Sequence, residues 1–345
     1  MQSQEKKSFP FWFGLDVSMD TFTVARRSIV STDAPLHPEV KSYTLDKKGV
    51  REFLKWANST AGEYLFGVAM EATGTYSKKL HGLIKALAPG QHVAVCNATS
   101  VSLYARSFTE EKNDKADAAM IARYACDRQP QEPRRMSPEH ARLREIVRAR
   151  ASLVDQKLEA QNRMDAFEDN EVRKIQRGVI QTLEKAIRKL EDQIKTVVKS
   201  SADISQEVEL MATVPGVGFL SAACIYAELG SLKNYSRKQV SALSGVCPVN
   251  KTSGKSVKKH GISRKGPKLL RRILFLDTTQ AIARIAALGE LHARLLARPE
   301  SSKMTAKCAC MRKLLLILHA MVVNGANFDP DYKSQKNIKN VKKTT

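Results

Sequence analysis

Four carboxylates stand where this sequence could do chemistry. Asp16 lies between Leu15 and Val17 in the apolar run FWFGLDVS (11–18). Burying a lone carboxylate there is costly unless it meets a cation or a strong hydrogen-bond donor. Glu71 closes a second apolar run, YLFGVAME (64–71), and an Ala-Thr-Gly-Thr-Tyr turn follows it. Asp114 and Asp117, three apart at the start of a helical pattern, project from one helix face. Four acids meeting at one sheet edge suit two divalent ions, which clamp the attacking and leaving oxygens of a phosphodiester. Only hard oxygen ligands are on offer, which favours Mg²⁺ over zinc. Singly, three of them have plainer readings: Asp114 as a helix N-cap with Asp117 in the favoured acidic first turn, and Glu71 as a strand-end acid.

A hydroxyl group comes next. From Ser231 to Arg272 the chain holds Lys233, Arg237, Lys238, Lys251, Lys255, Lys258, Lys259, Arg264, Lys265, Lys268, Arg271 and Arg272, and no Asp or Glu. Such a stretch gives strong, salt-dependent phosphate binding. In its middle, Lys251-Thr-Ser-Gly-Lys-Ser256 places Ser253 between lysines and before a glycine, exposed and electrostatically primed to attack a phosphate. No Gly-x-x-x-x-Gly-Lys-[Ser/Thr] pattern precedes it, so it is not a P-loop; an ordinary Ser-Gly turn is the alternative. Upstream, the Val-Pro-Gly-Val-Gly turn (214–218) between helical stretches fits a helix-hairpin-helix. There Gly216 and Gly218 permit the tight turn, and backbone N–H groups at the next helix start hold a phosphate without reading sequence. A simple helical turn is the competing reading.

The elements that must position these groups follow from periodicity. Residues 11–130 run β-β-β-α-β-α-β-α, with strands at 11–18, 22–30, 41–46, 64–71 and 92–97 and helices at 47–60, 77–87 and 115–127. Three leading antiparallel strands followed by βα units give the order of a ribonuclease-H-like fold, in which the first and fourth strands are neighbours. Residues 137–201 carry dense alternating charge. Ile180, Leu183, Ile187, Leu190, Ile194 and Val197 form a heptad seam, and Leu143, Val147, Ala151, Val154 and Leu158 a less regular one. Two long helices broken near 168–170 are expected there, as a coiled coil within or between chains or as a plain helical hairpin. Residues 205–325 make a second, mostly helical globular part, and the lysine-rich stretch 331–345 reads as a disordered basic tail.

The chain has 345 residues, 57 Lys+Arg against 35 Asp+Glu, and a formal charge of +22. That surplus points to polyanions, above all nucleic acid. With 43% hydrophobic residues the chain can bury a core. No apolar run approaches the roughly 20 residues of a membrane-spanning helix, and no small-residue cleavage site follows Asp16 to suggest a secretory leader. The six cysteines (96, 126, 224, 247, 308, 310) show neither a Cys-x-x-Cys pair nor a His partner at zinc spacing, which suits a reducing cytoplasm.

Taken together, Asp16 in Gly-Leu-Asp-Val-Ser, Glu71 in Met-Glu-Ala-Thr-Gly-Thr-Tyr and Asp114/Asp117 in Asn-Asp-Lys-Ala-Asp-Ala resemble the DEDD transposases of insertion-sequence family one-ten, which include the Piv/MooV pilin-gene invertases. Pro215-Gly-Val-Gly218, Leu243-Ser-Gly-Val-Cys-Pro248, Thr252-Ser-Gly254 and Ile262-Ser-Arg-Lys-Gly266…Leu270-Arg-Arg272 resemble the family's second domain in the same order. Met19 and Pro267 depart from the residues usual there. The resemblance implies a RuvC-like domain (11–130) whose Asp16, Glu71, Asp114 and Asp117 bind Mg²⁺, a coiled-coil middle (137–201) and a transposase C-terminal domain (205–325). It implies that Ser253, with Ser256 next in line, forms a covalent phosphoserine link to DNA. It also implies tetramers with composite active sites, and a structured guide RNA, a bridge RNA, that pairs with donor and target double-stranded DNA. Two rivals fit parts of the same residues: a RuvC-type junction-resolving nuclease without a covalent intermediate, and an architectural nucleic-acid-binding protein.

Overall fold

The computed structural model of the chain describes residues 8–29, 39–72, 74–108, 114–133, 136–251, 259–299 and 301–330. The chain divides into two compact units, Met1–Arg135 and Met136–Thr345.

In the first unit five strands form one sheet: β1 (Phe11–Val17), β2 (Thr21–Ser28), β3 (Val40–Thr44), β4 (Phe66–Glu71) and β5 (His92–Cys96), in the order β3-β2-β1-β4-β5. The first three strands pair antiparallel, while β1–β4 and β4–β5 are parallel. Strand alternation sends Phe13, Leu15, Val17, Val68 and Met70 to one face, against Val50, Phe53 and Ala57 of α1 (Lys47–Ala61) and Leu80 and Ile84 of α2 (Thr75–Leu87). Trp12, Ala69, Ala94 and Cys96 go to the other, against Val101 of α3 (Ala98–Ala105) and Ile121 and Ala125 of α4 (Asp114–Arg128). This mixed sheet with helices on both faces is compatible with a RuvC-like fold. It differs from the sequence expectation by one element. Helix α3 has the sequence ATSVSLYA with no amphipathic period to announce it; the Asn97 side chain, accepting from the Ser100 N–H, starts it.

The second unit is almost all helical. Helix α5 (Pro138–Met164) starts on Ser137, whose hydroxyl accepts the His140 N–H, with Pro138 in the first turn. Helix α6 (Asn170–Lys199) starts on Asp169, which accepts from the Glu171 and Val172 N–H groups. The break between them falls where the two seams lapse. They pack as an antiparallel hairpin: Arg150 pairs with Glu191 and Lys157 with Glu184, so numbers rise on one helix as they fall on the other. Leu143, Val147, Ile194 and Val197 join the core at one end of the hairpin, whereas Leu158 is 55% exposed toward the other.

Next come α7 (Ala202–Ala212), α8 (Phe219–Leu229), a 3-10 turn (Leu232–Asn234) and α9 (Arg237–Ser244). A two-stranded ribbon of β6 (Pro248–Lys251) and β7 (Lys259–Ile262) follows, and then α10 (Lys268–Arg284), α11 (Ala286–Leu296) and α12 (Lys303–Asn324). The ribbon is an addition to the helical expectation. Pro267 caps α10 from outside, and the helix begins at Lys268. Helix α8 is fully buried from Ala222 to Leu229. Its Glu228 carboxylate, 1% exposed, is held by both donors of the Arg148 fork at 2.7 and 2.8 Å and by Arg144 at 3.7 Å. A buried charge is tolerated only with such pairing. Among the described residues no helix is long and apolar enough to cross a membrane. The basic tail at 331–345 lies outside the described residues.

Candidate active site

The acid quartet is assembled by strand register and by one close helix approach. Strands β1 and β4 run parallel with Leu15 beside Met70. The next step along both strands therefore brings Asp16 and Glu71 together at the strands' carboxyl ends. Asp16 and Gly14 share the face covered by α4. A side chain at Gly14 would put its Cβ 2.2 Å from the Ala122 nitrogen and 2.4 Å from the Ala118 carbonyl oxygen. Glycine thus lets the α4 backbone lie directly on β1. That contact fixes the first turn of α4, which carries Asp114 and Asp117, over the end of β1.

The electrostatics register this convergence. Asp16 is half-buried, and its carboxyl is pushed up to about 6, first by burial and then by the charges of Asp114, Asp117 and Glu71; the Val17 N–H partly offsets the rise. Like charges and a low-dielectric setting both disfavour ionisation. The same negative field reaches Cys96, opposite Glu71 on β5, whose thiol burial and Glu71 together push up to about 11. As placed, no group of three His, Cys, Asp or Glu side chains among the described residues is arranged to hold a metal ion. The donor chemistry nevertheless suits a hard divalent cation: four carboxylates whose mutual repulsion a positive ion would relieve.

In the second unit, β6 and β7 pair antiparallel from Pro248 opposite Ile262 to Lys251 opposite Lys259. The pairing extends below the strands through Ser263 N–H to Cys247 O (2.9 Å) and Arg264 N–H to Gly245 O (3.1 Å). Arg271 donates a guanidinium hydrogen bond to the Gly266 carbonyl, and Arg272 pairs with Asp155 of α5. Those two arginines, expected on the nucleic-acid surface, therefore also hold the ribbon's base and α10 in place. Arg264, Lys265 and Lys268 are exposed. Ser253, Ser256, Lys255 and Lys258 lie outside the described residues.

The turn at 214–218 joins α7 to α8. Gly216, at φ +97°, faces α10 so closely that a Cβ would meet the Ala281 nitrogen at 2.7 Å. Its place is thus packing rather than open phosphate contact. Gly218 is exposed at the α8 N-terminus, and with Phe219, Leu220, Ser221, Lys195 and Lys199 it lines an open cleft of about 450 Å³. Behind Ser221 sits a buried acid that the sequence reading passed over. Asp277 of α10 accepts the Ser221 hydroxyl at 2.7 Å, its second oxygen has no partner, and burial raises its carboxyl to about 6. Its signal was a lone acid inside ILFLDTT, the same signal that marked Asp16. Gly14 was missed likewise, although a glycine within an apolar strand often marks a close backbone approach.

Comparison with known proteins fits this division of labour. The DEDD transposase model of the IS110 group matches residues 13–170, which span all four acids. The model of the transposase IS116/IS110/IS902 family matches residues 208–293, which hold the 214–218 turn and the basic ribbon. The chain is 27% identical over 300 residues to the pilin gene-inverting protein of Moraxella bovis, covering 84% of this chain and 90% of that one. It is 34% identical over 92 residues to the transposase for insertion sequence element IS1111A of Coxiella burnetii, covering 26% of this chain and 24% of that one. A third relative is the transposase for IS1328 of Yersinia enterocolitica, at 31% over 84 residues, 24% of this chain and 25% of that one. With matched segments holding the acids and the basic ribbon in turn, the chain belongs to the IS116/IS110/IS902 family of transposases, enzymes that recombine DNA.

Proposed function

We propose that this transposase breaks and rejoins DNA strands through Ser253, with Asp16, Glu71, Asp114 and Asp117 as its Mg²⁺ ligands. The observation that supports the reading is the meeting of Asp16 and Glu71 at the carboxyl ends of β1 and β4, beneath the first turn of α4. There burial first, and then the charges of Asp114, Asp117 and Glu71, raise the Asp16 carboxyl. Bound there, Mg²⁺ would supply positive charge to the scissile phosphate and its leaving oxygen. The Ser253 hydroxyl attacks phosphorus, the phosphorus–oxygen bond of the strand breaks, and the serine proton ends on the leaving hydroxyl. The product is a phosphoserine ester that preserves the energy of the broken bond. A hydroxyl of the incoming strand then attacks that ester and frees the serine. The name of the Moraxella bovis relative, a pilin gene-inverting protein, is in keeping with a reaction that breaks and rejoins DNA.

The finer architecture goes with this reading. Residues 11–130 are taken as the RuvC-like catalytic domain, 137–201 as a coiled coil and 205–325 as the transposase domain with a helix-hairpin-helix at 214–218. Gly218 and Lys251, Lys255, Lys258, Lys259, Arg264, Lys265 and Lys268 grip phosphates. Gly216 supports them from behind, while Arg271 and Arg272 divide their charge between DNA and the fold. Sequence reading is delegated to a guide RNA paired with donor and target DNA, and two dimers assemble as a tetramer in which acids and serine come from different subunits. The setting is the cytoplasm.

The test incubates wild-type, Ser253→Ala and Asp16→Asn proteins with DNA and the RNA that copurifies with the protein, and looks for a protein–DNA adduct on a denaturing gel. Wild type should give the adduct and neither variant should. An adduct with Ser253→Ala would move the nucleophile elsewhere, Ser256 first. Strand cleavage by wild type with no adduct at any time would mark a hydrolytic nuclease instead.

A further inference from the structure

Helices α10 and α12 pack against each other and together carry eight lysines and arginines, none of them buried, of which Arg271, Arg272 and Arg312 are bonded to Gly266, Asp155 and Ser241. Their one acid, Asp277, is buried. On this positive surface large apolar side chains are exposed: Phe275 (38%), Leu276 (56%) and Met304 (57%). Phe275 and Leu276 are neighbours on α10, and Met304 lies one turn before Lys307 on α12. The Lys307 ammonium sits 4.9 Å from the Phe275 ring centroid and also donates to the Thr279 hydroxyl, one turn further along α10. An exposed aromatic ring with a fixed cation over one face leaves its other face for a nucleotide, which offers a flat base and, close by, a phosphate. A protein partner would need acidic side chains to answer this charge, and a lipid-like ligand would not need the ordered lysine.

We infer that Phe275, with Leu276 beside it and Lys307 over one ring face, offers its other face as a stacking platform for an unpaired base of the DNA strand being exchanged. The inference rests on the reading of this unit as a DNA-binding surface. Phosphate contacts from Lys265, Lys268 and the ribbon hold the duplex without regard to sequence. Strand exchange by a recombinase then requires bases to leave their stack, and apolar side chains on DNA-binding proteins hold or wedge such bases open. Phe275 takes the base face, Leu276 fills the gap left by the departing neighbour, and Lys307 keeps the ring oriented while meeting the phosphate.

The experiment measures binding of the full chain to a single-stranded oligonucleotide carrying 2-aminopurine and to a fully paired duplex, over a range of salt. Phe275→Ala should bind the single strand about tenfold more weakly, with the same slope of log affinity against log salt and unchanged duplex affinity. Phe275→Tyr, which keeps the ring, should restore binding to within about twofold and restore the 2-aminopurine signal. Single-strand affinity of Phe275→Ala within about twofold of wild type overturns the inference. So does an equal loss for duplex and single strand, a loss seen only with an RNA oligonucleotide, or a change in oligomeric mass that would mean a second copy covers the patch. Wild-type protein that binds neither form of DNA overturns the DNA-surface reading itself, an outcome distinct from the other four.

Discussion

Replacing Gly14 by alanine should separate folding from catalysis within one residue. The added Cβ would lie 2.2 Å from the Ala122 nitrogen, 2.4 Å from the Ala118 oxygen and 2.8 Å from the Ala122 Cα, all backbone atoms. Attractive contact between such atoms begins at about 3.5 Å, so α4 must withdraw by about 1 Å or more. Overpacking of this kind costs about 1–3 kcal/mol, which thermal unfolding will report as a lower midpoint. The larger effect falls on the acids, because α4 carries Asp114 and Asp117 away from Asp16 as it moves. A misplacement of about 1 Å at a reacting centre costs on the order of 100-fold in rate, and the Asp16 carboxyl should fall back from about 6 toward its ordinary value of 3.8. Strand cleavage and carboxyl titration by NMR measure the two. Gly82→Ala, on α2 with open space around its Cβ position, is the matched control and should leave cleavage unchanged. A Gly14→Ala protein with wild-type cleavage and an unchanged Asp16 titration would refute the claim that this contact sets the quartet.

Three further outcomes follow from side chains described above. Asp277 is raised to about 6 when folded against about 3.8 unfolded, so folding favours its neutral form, and its contribution to stability is lost as pH rises between those values. Above pH 6 the penalty is on the order of 2–3 kcal/mol; Asp277→Asn should melt higher than wild type at pH 8 and show no such gain at pH 4. Arg148→Ala leaves the 1%-exposed Glu228 carboxylate with only Arg144 at 3.7 Å. Denaturant unfolding should show a loss of about 3 kcal/mol, with Arg148→Lys intermediate because it keeps the charge but not the fork. Replacing exposed Lys265 and Lys268 by Gln should flatten the slope of log DNA affinity against log salt by about one unit each, whereas Arg272→Gln should also lower the melting point, since its partner is Asp155.

The strands and long helices were legible because their periods are regular and their ends carry caps such as Asp46, Ser137 and Asp169. The four candidate acids stood out in the sequence for a different reason: a carboxylate inside an apolar strand is expensive, and Asp114 and Asp117 share a helix face whatever the tertiary fold. What escaped was whatever depends on a partner far along the chain. Glu228 reads as one polar position of a helix until Arg148, eighty residues earlier, is seen to hold it. Gly216 reads as a turn glycine until Ala281 of α10 is seen against it. Arg271 and Arg272 count as surface charge in sequence, and only the fold shows one bonded to Gly266 and the other to Asp155. Helix α3 was hidden because it carries no periodic apolar stripe.

The hairpin of α5 and α6 has a consequence for how such enzymes can vary. Its Leu143/Val147 and Ile194/Val197 end is sunk in the core, and the Arg148 fork bolts it to α8. Its far end exposes Leu158, Val172, Ile175 and Val179 and buries only Ala160, which lies apart from the main core cluster. Adding seven residues to each helix would push the tip out by about 10 Å while leaving every buried contact at the root intact. The reach of this arm is therefore a dimension that insertion and deletion can tune separately from the chemistry.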